Sequence, residues 1–472
     1  MSYLDAVLVA RARSTGKAQR SATVRHLRLV PKPMAMVLWQ LGAEPFTAAA
    51  FAWGCGLKDR HMVVAGEPRD RELAFRALTE VAHAFNPWFE GGASGEPQIV
   101  VPNRGNRTLL GRLGRRLAYL PTDGARPADP ELVRFGRHLV FLAGHARLPG
   151  QQLIVSLTDL LSEHWVTELS PVEAQHLPAI DAAIEPPKGR SAHEAALLAE
   201  RTEIGPLPSE ADDGEMDKLL GAFNEQRARD TDARRVARLL PPIATHYARL
   251  VDRGWPLVWR VLARERVLPE APHVERRWAE DIGALERHLE WVVVKDGRYR
   301  TRNTSAQAAR TLRTWEEAQQ LLVAEQAIDD PLKMLPYELT HEALRGIVCE
   351  VDLDNREVAI VKEVARPLVT VRTAQPCGVA VGTELYWTED PRGAAYEVIS
   401  VEQYRAGSEV VLKHLTGATK DRPAIKRAAT FSIHSTHSSP PLKLPANPPW
   451  THTAAVADVP SLEEPGAERS WE

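Results

Sequence analysis

Short apolar runs alternate with longer amphipathic segments between residues 33 and 187, and this alternation predicts an α/β domain with a mainly parallel sheet. The runs that predict strands span residues 35–41, 61–65, 98–101 and 152–157. The amphipathic segments that predict helices span residues 45–53, 69–85, 106–120 and 131–146. In such a sheet ligands bind at the carboxyl ends of the strands, so we expect the loops after the strands to carry function.

The pattern changes four times after residue 187. Proline, glycine and acidic residues cluster over residues 188–217, which predicts an exposed linker. Residues 218–344 have helical periodicity and predict an α-helical middle domain. Residues 345–433 alternate with a period of two in six short runs, which predicts a small all-β, barrel-like module. Residues 434–472 are rich in proline and acids, with little to bury, and predict a disordered tail.

One turn signal stands out inside the helical region. Asp296-Gly297 lies between two β-prone arms and predicts a hairpin near residues 290–302. Arg298, Arg300 and Arg302 would then project from one face of the second arm. The alternative is an ordinary solvated hairpin.

Length and charge limit the possible functions. A chain of 472 residues suggests two or three domains. The formal net charge of −3 provides no overall attraction to nucleic acid, so any basic surface must be local. Residues 1–32 form such a region, a basic N-terminal arm whose only acid is Asp5. It could contact nucleic acid, although basic termini are often only solvated.

Residues 97–117 are the strongest candidate binding segment. They contain five arginines and no acid: Arg104, Arg107, Arg112, Arg115 and Arg116. A buried strand, a turn through Asn103 and a helix are expected here, so the free N–H groups of the first helical turn would suit a phosphate or carboxylate. We therefore predict a site for an anion or nucleic acid at Asn103, these five arginines, and Arg298, Arg300 and Arg302. The alternative is that the arginines form a solvated face and pair with surface acids.

A catalytic alternative uses acids at the same edge of the sheet. Glu67, Asp70 and Asp159 are hard oxygen ligands that could gather around a divalent metal, although acids at helix starts are commonly caps. The chain has neither the glycine patterns of dinucleotide folds and P-loop enzymes nor the serine elbow of hydrolases. The leading interpretation therefore includes no catalytic residue, no metal and no cofactor.

Cysteine spacing and apolar run length indicate the compartment. Cys55, Cys349 and Cys377 are far apart and form no C-x-x-C pair, which argues against a zinc ribbon or a disulfide framework. The N-terminus lacks the charge order of a secretory signal, and no stretch approaches the ~20 apolar residues of a membrane span. We expect a cytoplasmic protein without a membrane partner.

These observations favour a non-catalytic accessory or scaffold protein of a bacterial cytoplasmic assembly that acts on nucleic acid, with protein partners. Two alternatives remain: a metal-dependent nuclease or other phosphate-acting enzyme at the carboxyl edge of the sheet, and a scaffold that binds only proteins. The choice between DNA and RNA, the identity of the partners and the oligomeric state stay open.

Overall fold

The computed structural model describes residues 3–42, 48–91, 96–229, 238–359, 362–390, 393–416 and 422–436. Its helices are α1 (Tyr3–Thr15), α2 (Arg71–Glu90), α3 (Arg104–Leu117), α4 (Pro130–His145), α5 (Leu157–His164), α6 (Leu177–Ile184), α7 (Ala192–Ala199), α8 (Glu210–Arg229), α9 (Leu240–Glu265), α10 (Val274–Leu289), α11 (Ser305–Asp329) and α12 (Pro331–Leu339). None of these helices combines the length and the apolar character needed to cross a membrane.

The described strands form a five-stranded sheet, a closed six-stranded barrel and two separate two-stranded sheets. The N-terminal strands are β1 (Gln19–Arg20), β2 (Met34–Gln40), β3 (Ala48–Gly54), β4 (His61–Val64), β5 (Ile99–Val101), β6 (Ile154–Ser156) and β7 (Trp165–Val166). The C-terminal strands are β8 (Ala343–Asp352), β9 (Arg356–Ala359), β10 (Lys362–Ala365), β11 (Leu368–Thr373), β12 (Glu384–Trp387), β13 (Ala395–Tyr404), β14 (Gly407–Thr416) and β15 (Ala428–Ser432).

The N-terminal sheet has the strand order β4-β3-β2-β5-β6. β2 pairs in parallel with β5, and β5 pairs in parallel with β6. β3 runs antiparallel to both of its neighbours, so β4 has the same direction as β2. The prediction of a mainly parallel sheet is therefore confirmed in part, because the sheet is mixed.

Strand β3 corrects the prediction of a helix over residues 45–53. Residues 48–54 form a strand in which every residue is buried. The sequence there is AAAFAWG, and its alanines favour a helix by intrinsic propensity. The position between β2 and β4 overrides this preference, because small side chains fit a strand covered on both faces. Residues 45–47 lie outside the described part of the chain.

Both faces of the sheet are buried, and alternate side chains of β2 show it. Met36 and Leu38 face a core that α2, α3 and α4 complete. Val37 and Trp39 face a second core that α5, α6, α8 and α9 complete. The helices over residues 210–265, predicted to belong to a separate domain, thus form the second helical layer of the α/β unit. A sequence-based boundary failed here because both groups of helices have the same amphipathic pattern.

The segment predicted as an exposed linker is folded and partly buried. It contains α7 and the start of α8, and Ile204 between them is buried. The backbone carbonyl of Pro206 accepts a hydrogen bond from the Gln40 N–H (2.9 Å). The Gly205 carbonyl accepts one from Asn103 Nδ2 (2.8 Å). Residues 204–206 therefore cover the carboxyl ends of β2 and β5.

The N-terminal residues, predicted as a basic arm, are part of the folded unit. α1 is followed by β1, which pairs with β7. The buried guanidinium of Arg25 binds Glu270 Oε2 (3.1 Å) and the carbonyl of Leu268 (2.9 Å). Arg25 is thus neutralised by the protein itself and does not contribute to a free basic surface.

The predicted hairpin near residues 290–302 is absent. Residues Glu290–Val294 continue α10 as a π-helix, and residues 296–300 have no regular structure. Asp296 has a positive φ of 47°, and the Gly297 N–H donates to the carbonyl of Trp291 (2.7 Å). Asp and Gly favour a hairpin turn, but they equally favour the left-handed turn that ends a helix, and α10 uses them in that way.

The C-terminal module is a closed barrel, as the period-two pattern predicts. Its strands follow the order β11-β14-β13-β12-β15-β8, and every pair is antiparallel. Side chains including Val348, Val371, Leu412 and Phe431 fill the interior. Most of the predicted disordered tail, from residue 437 onward, lies outside the described residues. His434, at the start of that segment, packs edge-on against Tyr337 with 4.2 Å between ring centroids.

Candidate functional site

The first turn of α3 was predicted to offer free N–H groups to an anion, but the protein's own groups cover it. Asn103 caps the helix, and its Oδ1 accepts the N–H of Asn106 (2.9 Å). Pro206 lies against Gly105, where a Cβ atom would come within 2.8 Å of the proline Cδ. The helix start is therefore a packed junction between α3 and residues 204–206.

Two of the predicted arginines are neutralised at the same place. Asp159 of α5 accepts Arg104 Nε at 2.6 Å, and its other oxygen lies 3.3 Å from Arg107 Nη1. A carboxylate of the chain thus occupies the position expected for an external anion. Arg104 and Arg107 follow β5 while Asp159 follows the adjacent parallel β6, so the sheet topology creates this pairing.

The remaining positive charge of α3 lies farther along the helix, in a groove against α4. We name this the arginine groove. It has a volume of about 390 Å³ and is lined by Arg107, Thr108, Gly111, Arg112, Arg115, Ala143, Ala146 and Arg147. Four of these side chains are arginines and none is acidic, and one of the four, Arg107, is the residue paired with Asp159. Arginine is therefore concentrated locally on this surface, although the formal net charge of the protein is −3.

The groove forms because α3 and α4 approach closely along small residues. A Cβ atom on Gly111 would come within 2.8 Å of the Ala143 Cβ, and one on Gly114 within 2.6 Å of the Leu139 Cβ. On α4, a Cβ atom on Gly136 would come within 2.5 Å of a backbone nitrogen at the end of α3. Such close packing fixes the two helices, so the long arginine side chains stand at the rim of a rigid cleft.

Sequence reasoning found only part of this groove. Arg107, Arg112 and Arg115 belong to the predicted segment, whereas Arg147 does not, although it lines the groove with them. Arg147 comes directly after the helix predicted over residues 131–146, and only the packing of that helix on α3 brings it near. Arg116 is exposed on α3 but does not line the groove.

The other predicted basic segment contacts the same helix α4 through its own loop. Arg298, Arg300 and Arg302 are exposed in the chain between α10 and α11. Asp296 of this loop forms an ion pair with Arg137 of α4. The hydroxyl of Tyr299 lies 2.6 Å from His288 Nδ1. The structure therefore fixes both basic segments on α4, although no hairpin exists.

A buried chain of polar side chains supports this loop. Tyr299 contacts His288, His288 Nε2 lies 2.8 Å from His138 Nδ1, and His138 Nε2 lies 3.0 Å from Glu90 Oε1. Burial raises the pKa of Tyr299 to about 12, so its hydroxyl keeps the proton that it donates to His288. Burial also lowers the pKa of His138, and burial next to the His138 imidazole lowers the pKa of His288 to about 2. With both imidazoles neutral, one proton arrangement satisfies every contact from Tyr299 to Glu90.

This chain makes stability depend on pH. An imidazole in the unfolded chain takes up a proton below about pH 6.5, whereas buried His288 does not, so we expect stability to fall with decreasing pH by about 1.4 kcal/mol per pH unit below that value. Substituting His288→Phe should flatten this dependence and also lower stability at neutral pH, because Tyr299 and His138 lose their partner. Urea unfolding at about pH 7.5 and 5.5 measures both effects. His193→Phe, at an exposed site, is the control, and an equal slope in both variants would contradict the prediction.

The structure does not bring the three candidate metal-binding acids together. Glu67 accepts the Arg69 N–H at 3.0 Å. Asp70 caps α2 and binds Arg227 (2.6 Å), which lowers the pKa of Asp70. Both acids follow β4, whereas Asp159 follows β6 at the opposite end of the sheet, and the four strand spacings between amount to roughly 19 Å. Within the described ranges, no group of three His, Cys, Asp or Glu side chains could hold a metal ion.

The arginine groove is thus a part of the predicted site where several arginines line one concave surface. Asp159, which pairs with Arg104 and with Arg107 of the groove, does not itself line the groove. Comparison with known proteins finds no matching family model, no matching curated protein and no matching solved structure.

Proposed function

We propose that this protein binds the phosphate backbone of nucleic acid through the arginine groove, as a non-catalytic accessory component of an assembly that acts on nucleic acid. The observation that carries the proposal is the lining of the groove, which has four arginines and no acid. Arginine presents several N–H donors in a planar fork that matches phosphate oxygens, and it keeps its charge at any physiological pH.

The small residues in the groove also support this function. Gly111, Ala143 and Ala146 line it together with the arginines, so small side chains leave room for a phosphate to approach the helices. Contacts of this type read the backbone and carry no sequence information. We therefore expect binding without strong sequence preference, and with a strong dependence on salt, because each phosphate contact releases counterions.

The test is a salt titration of binding to labelled single-stranded and duplex DNA and RNA, followed by fluorescence anisotropy. For the wild type, the logarithm of the affinity should fall linearly with the logarithm of salt concentration, by about 0.9 per phosphate contact on duplex DNA. The variant Arg115→Glu/Arg147→Glu should bind at least about tenfold more weakly at low salt and lower the slope by about two.

A matched control separates groove binding from overall charge. Arg190→Glu/Arg405→Glu makes the same change in net charge at two exposed sites outside the groove and should leave the slope unchanged. Equal effects of both double variants would contradict a groove-specific site. No binding of the wild type at low salt would exclude the proposal and favour a scaffold that contacts only proteins. A metal-dependent nuclease would instead need Glu67, Asp70 and Asp159 to meet, and the sheet separates them.

A further inference from the structure

We propose that Trp291 is a stacking platform for an unpaired base, and that Arg298, Arg300 and Arg302 bind the phosphates that flank this base. The ligand class is single-stranded nucleic acid. This inference rests on the proposed function and deepens it, because the arginine groove alone does not distinguish single strands from duplexes.

The first observation is the exposure of the indole. Among the tryptophans that the structure describes, Trp291 alone is exposed, with 45% of its surface accessible, whereas Trp39 and Trp255 are fully buried in the core. Val293 and Val294, beside it on the π-helical turn, are also exposed. An apolar surface of this kind next to arginines suits the faces of nucleic acid bases.

The second observation is that the indole is held in a fixed orientation. A Cβ atom on Gly297 would lie only 2.2 Å from Cε2 of Trp291, so the glycine backbone packs directly on the ring. The Gly297 N–H also donates to the Trp291 carbonyl at 2.7 Å. The glycine thus supports one part of the ring and leaves the rest exposed, an arrangement that any larger residue at position 297 would disrupt.

The third observation is that the loop carrying the arginines is fixed before any ligand binds. Asp296 pairs with Arg137, and Tyr299 is the end of the hydrogen-bonded chain through His288 to the α4 side chain His138. A preformed loop loses little conformational entropy on binding, so more of the interaction energy appears as affinity.

The fourth observation is the charge around the indole. Glu290 is paired with Lys295 (2.7 Å), and Asp296 is paired with Arg137. The three exposed arginines of the loop form no ion pair with an acid of the described chain. The acids next to Trp291 in the sequence are thus paired while these arginines are not, which favours a phosphate-bearing ligand over an apolar one.

These features together select unpaired bases. In a duplex the base faces are covered by their neighbours, so an aromatic side chain cannot stack on them, whereas a single strand exposes them. Arginines flanking an aromatic ring hold the backbone while the ring contacts the base. We therefore expect Trp291 to contribute to the binding of single strands and to have no effect on the binding of duplexes.

The experiment compares two labelled probes on the full-length protein at low salt. One probe is oligothymidylate, and the other is an abasic deoxyribose phosphate chain of the same length, which has the phosphates but no bases. The wild type should bind oligothymidylate roughly tenfold more tightly. Trp291→Ala should remove this preference and leave duplex binding unchanged, whereas Trp291→Phe should retain most of the preference. Trp315→Ala, which changes a half-buried tryptophan of α11, is the matched control and should keep it.

The outcomes separate this inference from the proposed function. Equal binding of both probes by the wild type overturns the stacking platform. This result needs no variant, so misfolding cannot explain it. The exposed apolar patch would then be assigned to a protein partner. In that case the groove variant Arg115→Glu/Arg147→Glu would still weaken both probes if the proposed function holds. No binding of either probe by the wild type overturns both proposals. Loss of the preference in Trp315→Ala as well as in Trp291→Ala would also overturn the platform, because the effect would not be specific to the exposed indole.

Discussion

Replacing Glu325 by alanine is expected to lower the free energy of unfolding by about 3–5 kcal/mol, because it leaves a buried guanidinium without its partner. The Glu325 side chain is 0% exposed and lies in α11. Its carboxylate binds Arg276 Nε at 3.1 Å and lies 2.8 Å from Arg277 Nε. Arg277 is buried as well, and its remaining N–H groups donate to the carbonyls of Gly150 and His26. The variant keeps these bonds but loses the negative charge that compensates the guanidinium.

Urea unfolding followed by circular dichroism measures this loss. The matched control is Glu317→Ala in the same helix, where the carboxylate pairs with Arg313 at 2.7 Å on the surface. Exposed pairs of this spacing contribute only about 0.3–0.5 kcal/mol. A loss in Glu325→Ala no larger than the loss in Glu317→Ala would show that the buried pair does not stabilise the fold.

The position of Glu325 explains why the expected effect is large. The first part of α11 has no buried residue before Ala324, so the helix is attached mainly through its C-terminal end. There Asp329 binds His273 Nδ1 at 2.7 Å, which raises the pKa of His273. Gln326 hydrogen-bonds Glu163 of α5. Polar contacts to the α/β unit therefore hold this end of α11, and α12 connects it to the barrel.

The elements that the sequence predicts correctly are those whose local pattern agrees with their environment. Ile99–Val101 is β-branched and buried between neighbouring strands, and the barrel strands alternate because one face is interior. β3 was missed because alanine favours a helix while the sheet places it between two strands. Asp296-Gly297 was misinterpreted because the same pair suits two different backbone turns.

In the candidate site, too, the sequence predicts correctly those residues whose local pattern agrees with their environment. The amphipathic pattern of α3 places Arg112 and Arg115 on its outer face, as the structure does. Pairing with acids is the alternative that the sequence leaves open for Arg104 and Arg107, but the sequence does not identify the partner, because Asp159 follows the adjacent strand about fifty residues later in the chain. The addition of Arg147 depends on how closely α3 and α4 pack. Charge runs in a sequence thus identify candidate basic surfaces, and the topology decides which charges meet an acid from a neighbouring element.

Replacing Asp330 by asparagine is expected to lower stability at neutral pH by about 2–3 kcal/mol, with an effect that shrinks in acid. Asp330 is fully buried at the start of α12. Its carboxylate accepts the N–H and the hydroxyl of Thr23, both at 2.8 Å, and the N–H of Leu332 at 2.9 Å. Asparagine keeps the shape but replaces one acceptor oxygen by a donor. In either orientation of its amide, the backbone N–H of Thr23 or that of Leu332 would therefore face another donor.

The pH dependence follows from the direction of the pKa shift. Burial alone raises the pKa of Asp330, but the contact with His26 (3.5 Å) and the bonds from Thr23 and Leu332 outweigh it, so the pKa lies well below its ordinary value. A carboxyl group whose folded pKa is lowered stabilises the protein fully above its unfolded pKa, near 3.9, and loses this contribution as the pH falls towards the folded value. Urea midpoints of wild type and Asp330→Asn should therefore differ most near about pH 7 and converge below about pH 4. Asp217→Asn, at an exposed site of α8, should give no such convergence, and a difference between wild type and Asp330→Asn that stays constant with pH would refute the assignment.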